Sequence, residues 1–290
     1  MQIEQLTCNI GAEIRGASIR DGAYDEAVFK EIHAALLKHR VIFFRDQDDL
    51  TPQIQARFAS RLGDLESHPV FPECPDAPGI CQIYKTADRP VDPYECTWHA
   101  DNTWRQIPSR ACVLHCLACP EVGGDTMWAN MVVAYEKLPQ HVKDLIADLK
   151  ANHGFVHYMS KIFGPERLEE MFAKFPDVRH PVVRSHPDTG EKVLFLGAWA
   201  THFVNYNERG RVRQGQDYAQ AGGDLFQYLM SQAQIPEYQV RLRWRPNTVA
   251  MWDNCSTQHY AVQDYPPSVR KMHRASIAGS KPEHSTRMRC

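Results

Sequence analysis

Thr97-Trp98-His99-Ala100-Asp101 places an imidazole and a carboxylate two residues apart. On an extended backbone both side chains point to the same side, because strand side chains alternate with a period of two. Such a pair can hold two adjacent positions on one metal ion. The rest of the chain is then expected to supply a third ligand, a co-substrate clamp and a pocket. Taken alone, a His-x-Asp pair is a short motif that recurs incidentally on loops, so its meaning depends on what surrounds it.

Upstream, residues 3–20 read as short strands, with Ile10, Ala12, Ile14 and Ile19 punctuated by Gly11 and Gly16. Residues 25–39 carry Val28, Ile32, Ala35 and Leu36 on one face of an amphipathic helix. Val41-Ile42-Phe43-Phe44 is an apolar run expected as a buried strand. Thr51 as N-cap and Pro52 at the first helical position start a helix that runs to about Leu62, where Gly63 stops it. Residues 80–84 are the next strand. Downstream, residues 111–118 read as a strand, and Gly123-Gly124-Asp125 as a turn into a short strand over 126–128. Helices are expected over 139–151 and 166–174, and strands over 182–184 and 192–196. Residues 205–220 read as a long polar loop, followed by a helix over 224–232. Residues 238–244 alternate Val240, Leu242 and Trp244 against Gln239, Arg241 and Arg243, the pattern of a half-buried strand. Strands at 248–252 and 276–278 complete the set. Many short strands, with helices concentrated early and in inserts, predict a mainly β chain with helical decoration, a sandwich or jelly roll. No glycine-rich phosphate loop follows a strand, so the nucleotide-binding α/β folds lack their fingerprint.

The chain has 290 residues, 43% apolar and 23% charged, which is ordinary for a globular protein with a sizeable core. A net charge of -2 provides no field to attract nucleic acid or an anionic membrane. No run reaches the about 18 apolar residues of a membrane span. Met1-Gln2-Ile3-Glu4 lacks the basic and apolar regions of a signal peptide, so a cytoplasmic location is expected. The nine cysteines are an odd number spread from Cys8 to Cys290, which suits reduced thiols better than a disulfide framework. Cys112, His115, Cys116 and Cys119 have zinc-like spacing. On a strand, however, Cys112 and Cys116 face one way and His115 and Cys119 the other, so buried thiols are expected instead of a metal site.

The candidate third ligand is His259. By itself it reads more readily as a hydrogen-bonded core histidine than as a ligand. With His99 and Asp101 it completes two histidines and one carboxylate, a set that leaves three positions open on one ion and suits non-haem Fe(II) better than zinc. Arg270 and Arg274, four residues apart, face the same side of a strand and could hold two anions or one dianion. Lys271 between them also fits a solvated basic face.

The order His99-x-Asp101, Gly123-Gly124-Asp125-Thr126, Trp252-Asp253-Asn254, His259 and Arg270 resembles the taurine dioxygenase and aryloxyalkanoate dioxygenase family of Fe(II)- and 2-oxoglutarate-dependent oxygenases. The resemblance runs from about Ala12 to Pro282. It includes His68-Pro69-Val70, His180-Pro181-Val182-Val183, Ser185-His186-Pro187 and Tyr265 through Lys281. It implies a double-stranded β-helix (jelly-roll) core over a single oxygenase domain, 1–290, and Fe(II), 2-oxoglutarate and O2 as cofactor and co-substrates. It further implies iron held by His99, Asp101 and His259, and 2-oxoglutarate held by Arg270 with the Thr126 hydroxyl beside it. Arg274, assisted by His68, would bind an acidic group of the substrate. Phe71, Asn102, Trp104, Phe155 and Trp199 would line the substrate pocket. Related halogenases lack the carboxylate, so Asp101 implies hydroxylation. Members are often dimers or tetramers.

Three departures bear on the substrate. Phe71 stands where the taurine enzymes have a tyrosine. Glu95 stands where they have an asparagine, and could pair with an ammonium or remain a solvated carboxylate. An insertion of roughly ten residues falls within 203–222, longer than ordinary connections, and could form a lid. A small organic anion is therefore expected as substrate, with a taurine-like sulfonate first. A carboxylate, amino-acid-like or aryloxyalkanoate substrate is the alternative. A binding module without turnover is a third possibility, against which the intact triad and both arginines speak.

Overall fold

The run Val41–Phe44 shows how the layers are built. Val41 and Phe43 join a core shared with Trp128, Val240 and Trp252, while Ile42 and Phe44 join another shared with Ile32, Leu36 and Phe58. The two-residue alternation thus sends each side of one strand into a different core. In this computed structural model, residues 1–86, 88, 96–160, 163–206 and 218–284 are described. Among them, the largest sheet has the order Gln2–Gln5, Ala12–Arg15, Val41–Phe44, Val249–Asp253, Ser109–Ala118, Arg270–Ala278, Ala77–Lys85, Glu73–Cys74. Its pairings are antiparallel except that of Ala12–Arg15 with Val41–Phe44. A three-stranded antiparallel sheet, Gln239–Leu242, Thr126–Asn130 and Thr257–Ala261, packs on its inner face.

Helices Ile19–Tyr24, Glu26–His39 and Pro52–Ala59 cover the outer face of the large sheet. Asp25 starts the second by accepting hydrogen bonds from the amides of Ala27 and Val28, and Thr51 caps the third. Helices Met131–Glu136, Gln140–Ile146 and Tyr218–Ser231 cover the small sheet on its far side, around a core that includes Met131, Ile146, Leu196 and Leu229. The result is a mainly β jelly roll with helical decoration.

Several elements differ from expectation for local reasons. Ile19 opens a helix, not a strand, because Ser18 and Asp21 form a capping box around its first turn. The helix expected over 139–151 ends at Ile146. Lys150–His153 is instead a strand between Val178–Pro181 and Ala200–Phe203, with Ala151 and His153 buried. The expected loop over 205–220 overlaps the start of the helix Tyr218–Ser231. Residues 207–217, the middle of the insertion, lie outside the described residues, as does Glu95.

The strand Ser109–Ala118 carries a bulge. Met272 pairs with Cys116 but Lys271 with Ala118, so Leu117 is extra. The bulge resets the alternation, and Cys119 packs against the inner core that holds Cys112 and Cys116. Cys119 therefore shares a side with those thiols, which corrects the strict alternation expected for it. Among the described residues, no metal-like cluster includes this group, and all eight cysteines are free thiols.

Candidate active site

His99 is not part of a long strand. Its amide donates to the His259 carbonyl at 3.0 Å and its carbonyl accepts from the His259 amide at 2.7 Å, an isolated antiparallel bridge. His259 lies in the strand Thr257–Ala261, so the bridge puts the two rings 4.2 Å apart, centroid to centroid. Asp101 follows in a turn, and Asn254 fixes its backbone. The Asn254 Oδ1 accepts from the Asp101 amide at 2.7 Å, and its Nδ2 donates to the carbonyls of Asp101 and Ser109 at 2.9 and 2.8 Å. One side-chain amide thus ties the His99–Asp101 segment to the turn between Val249–Asp253 and Thr257–Ala261.

That turn is itself braced. His186 Nε2 donates to Asp253 Oδ2 at 2.8 Å, the Ser256 hydroxyl donates to the same oxygen, and Arg40 Nη1 lies 3.8 Å away. Cys255 stands close enough for His186, Asp253 and Cys255 to form a second group of possible ligands. The His186 Nδ1, however, already accepts from the amides of Asp188 and Thr189. With both nitrogens engaged and Arg40 beside the carboxylate, this group is a brace and not a cation site.

The ligand atoms of His99, Asp101 and His259 lie within 4.8 Å of one another, with His259 Nε2 3.9 Å from Asp101 Oδ2. His99 Nδ1 donates to the Thr97 carbonyl at 2.7 Å, which leaves Nε2 with its lone pair. Burial alone would raise the Asp101 pKa. Arg274, His259 and His99 outweigh it and hold the carboxyl well below the usual range. Burial and then His99 push His259 down to about 3. An ionised carboxylate and a neutral imidazole are the forms that ligate a metal. The donor set fits a divalent ion with open positions.

These residues open onto a cavity of about 80 Å³, well above the roughly 10–15 Å³ that one water needs. Its wall includes His68, Phe71, Asn102, Thr126, Trp199, Arg270 and Arg274 of the expected residues. Arg270 is only 6% exposed, and its Nε has no hydrogen-bond partner among the described residues. A buried guanidinium left in that state favours an anion beside it. Thr126 Oγ1 accepts from Trp244 Nε1 at 2.9 Å, so its own hydrogen is available to donate. Arg274 Nη1 donates to Asp101 Oδ1 at 3.3 Å, and its guanidinium carbon lies 5.4 Å from the Phe71 ring. Phe71 in turn packs on His68 at 4.8 Å. Burial, then Arg274, push the His68 pKa well below its usual value. Its Nδ1 accepts from the Val70 amide at 3.2 Å, leaving Nε2–H as the donor.

Trp104 and Phe155 do not line the cavity. Trp104 packs 4.6 Å from Phe155 and 4.8 Å from Phe175, and Phe155 stacks on Trp199 at 6.2 Å, so both stand behind the wall. Asn102 adopts φ +58, in the left-handed region where asparagine is enriched, and its Nδ2 donates to Ser109 Oγ at 2.9 Å. Ile83, Leu114, Met159 and Ala261 line the cavity without having been singled out in the sequence, and Trp252, quoted there only within a motif, lines it too. Leu114 carries a signal of its own: it lies on the inner face of the strand Ser109–Ala118, directly paired with Arg274.

The sequence profile described as "Taurine catabolism dioxygenase TauD, TfdA family" matches residues 2–276. The chain belongs to this family. It is 34% identical over 289 residues to an alpha-ketoglutarate-dependent sulfate ester dioxygenase of Pseudomonas putida, covering 97% of this chain and 91% of that one. It is 35% identical over 290 residues to an alkylsulfatase of Acinetobacter baylyi, covering 96% and 85%. A crystal structure of AAD-2 in complex with Mn(II) and N-oxalylglycine superposes with TM-score 0.79 at 26% identity, covering 97% of this chain and 99% of that one. This family member is a non-haem Fe(II) dioxygenase that uses 2-oxoglutarate and O2 and acts on a small organic substrate. No helix among its described residues is long and apolar enough to cross a membrane.

The loop after Asp101 rests on a histidine whose charge state matters. His180 Nε2 donates to the carbonyls of Thr103 and Arg105 at 2.9 and 3.0 Å, and burial pushes its pKa down to about 4. The unfolded chain takes up this proton near pH 6.5 and the folded one only near 4. The contribution is therefore complete above about pH 6.5 and is lost as pH falls towards 4, up to about 3 kcal/mol. Urea midpoints of the metal-free protein should fall from pH 7.5 to pH 5. A flat profile would contradict a buried neutral His180.

Proposed function

We propose that this dioxygenase hydroxylates the carbon bearing the ester oxygen of a small alkyl sulfate. The observation that carries this reading is the pairing of Arg274 and His68 at an anion-binding end with an apolar wall of Phe71, Ile83, Leu114 and Met159. A taurine-like sulfonate is the first expectation from the sequence, and Glu95, the counter-charge the sequence offers for its ammonium, lies outside the described residues. The named activities of the two relatives move the preference to a sulfate ester.

On this reading His99, Asp101 and His259 hold Fe(II), and Arg270 with Thr126 holds the distal carboxylate of 2-oxoglutarate. The bound metal supplies the O2 chemistry that turns 2-oxoglutarate into succinate and CO2 and inserts the second oxygen atom into a substrate C–H. The protein's part is placement. Arg274 and His68 Nε2–H fix the sulfate oxygens, the apolar wall holds the alkyl chain, and Trp199 and Phe71 limit water around the reacting carbon. The product carries hydroxyl and sulfate on one carbon. Loss of the hydroxyl proton and the C–O bond to sulfate gives an aldehyde and hydrogen sulfate.

The test is a panel of short alkyl sulfates, alkanesulfonates, taurine and aryloxyalkanoates with Fe(II), 2-oxoglutarate and air. An alkyl sulfate should raise succinate production most, with equimolar sulfate. Sulfite from taurine as the preferred substrate would replace the ester reading with the sulfonate one, and no stimulation by any member would refute both. We also propose a single domain over 1–290, a homo-oligomer (dimer or tetramer) and a cytoplasmic location. Family resemblance supports the first two and the free thiols the last; light scattering tests the oligomer.

A further inference from the structure

The Asp101 carboxylate has a separate partner for each oxygen. Oδ1 accepts from Arg274 Nη1 at 3.3 Å, and Oδ2 accepts from the Cys112 thiol, also at 3.3 Å. The Ser276 hydroxyl lies 3.8 Å from the same sulfur. Oδ2 is the oxygen that faces His259 Nε2. Asn254 fixes the Asp101 backbone, so the orientation of the carboxylate is set by these two side-chain contacts.

The two contacts differ in permanence. Arg274 lines the cavity and, on the reading above, grips the sulfate of each incoming substrate. A guanidinium has five donors in one plane, and an anion that takes two of them competes with Asp101. Cys112 is fully buried in the strand Ser109–Ala118 and does not line the cavity, so it offers no contact for which a substrate there could compete. Its thiol is also a weak donor, which steadies an oxygen without drawing much of its electron density away from a metal.

We propose that Cys112 is a positioning residue for the iron site, holding Asp101 Oδ2 towards His99 and His259 while Arg274 is engaged by substrate. The inference rests on the assignment of Asp101 as an iron ligand. It gives a function to a buried thiol that contacts neither substrate nor co-substrate. Because one anchor of the carboxylate is shared with the substrate, loss of the other should be felt most when substrate is bound.

The experiment is anaerobic Fe(II) titration in the presence of 2-oxoglutarate, read by visible charge-transfer absorption, with and without hexyl sulfate. Cys112→Ala should bind Fe(II) about tenfold more weakly, the lower end of the range for partners of metal ligands. The deficit should widen when hexyl sulfate is added. Cys112→Ser, which keeps a donor, should stay within about threefold of wild type in both arms, by the same scale. Equal losses in the two variants would reduce Cys112 to packing, and wild-type affinity in Cys112→Ala in both arms would overturn the proposal. Metal-free thermal midpoints separate either result from misfolding. Asp101→Ala is the control for the reading beneath it: if that variant keeps wild-type Fe(II) affinity, the ligand assignment has failed and not only the role of Cys112.

Discussion

Asp101→Ala is expected to produce a folded protein that neither retains Fe(II) nor forms succinate, with or without a substrate. Changes to outer partners of a metal ligand cost roughly 10- to 100-fold in affinity or activity, and removal of the ligand itself should exceed that. The charge balance sharpens the expectation. Asp101 is the only anion among the three proposed ligands, and Arg274 stands 3.3 Å from its Oδ1. Without the carboxylate, a divalent ion would meet two neutral imidazoles and a guanidinium. The substitution also removes one side of a buried ion pair, which can cost about 3–5 kcal/mol by itself, so activity alone would be ambiguous. Ligand linkage removes the ambiguity. In the wild-type protein, Fe(II) with 2-oxoglutarate at a hundredfold excess over Kd should add about 2.7 kcal/mol and raise the melting temperature by several degrees. The metal-free variant should melt at its own temperature and gain nothing from the same additions. A variant that still gains stability from Fe(II) and makes succinate would remove Asp101 from the ligand set.

The way Asp101 reaches this position shows what the sequence reveals and what it hides. Two-residue alternation suggests that His99 and Asp101 share a side. They do converge with His259, but the cause is different: an isolated bridge to His259 and the Asn254 amide hold a bent segment in place. Neither can be read locally, since Asn254 lies 153 residues away. Arg270 and Arg274 are the opposite case. They sit in the strand Arg270–Ala278, whose pairing with Ala77–Lys85 runs unshifted from Arg270 to Ala275 because the extra residue of the nearby bulge lies on Ser109–Ala118, so their placement on the cavity wall follows from spacing. Trp104 marks a further limit. It lies three residues from Asp101, yet its ring turns away into an aromatic cluster with Phe155 and Phe175. The jelly roll itself was legible because Val41–Phe44 is a short, wholly apolar run and Gln239–Leu242 keeps its alternation. The strand Lys150–His153 was hidden because its polar Lys150 and Asn152 continue a helical-looking stretch, and only pairing with Val178–Pro181 and Ala200–Phe203 defines it.

The two arginines give the clearest separation of roles. Both are nearly buried, at 6% and 8% exposure, and both line the same cavity. Truncating one partner of a desolvated, charge-assisted contact costs about 2–5 kcal/mol, roughly 10²- to 10³-fold in binding through the middle of that range. Arg270→Ala should therefore raise the KM for 2-oxoglutarate by that order while changing the KM for the primary substrate little. Arg274→Ala should do the reverse. It should also weaken Fe(II) retention, because it withdraws the guanidinium from Asp101 Oδ1, whereas Arg270 has no contact with the triad among the described residues. The third readout matters. A swap of the two KM effects would invert the assignment of the anion sites, but the iron effect should follow Arg274 in either case, since it depends on a contact already made before any substrate arrives. If Arg270→Ala weakens iron retention as much as Arg274→Ala does, both losses reflect a general loosening of the strand that carries them, and the separate roles fall together.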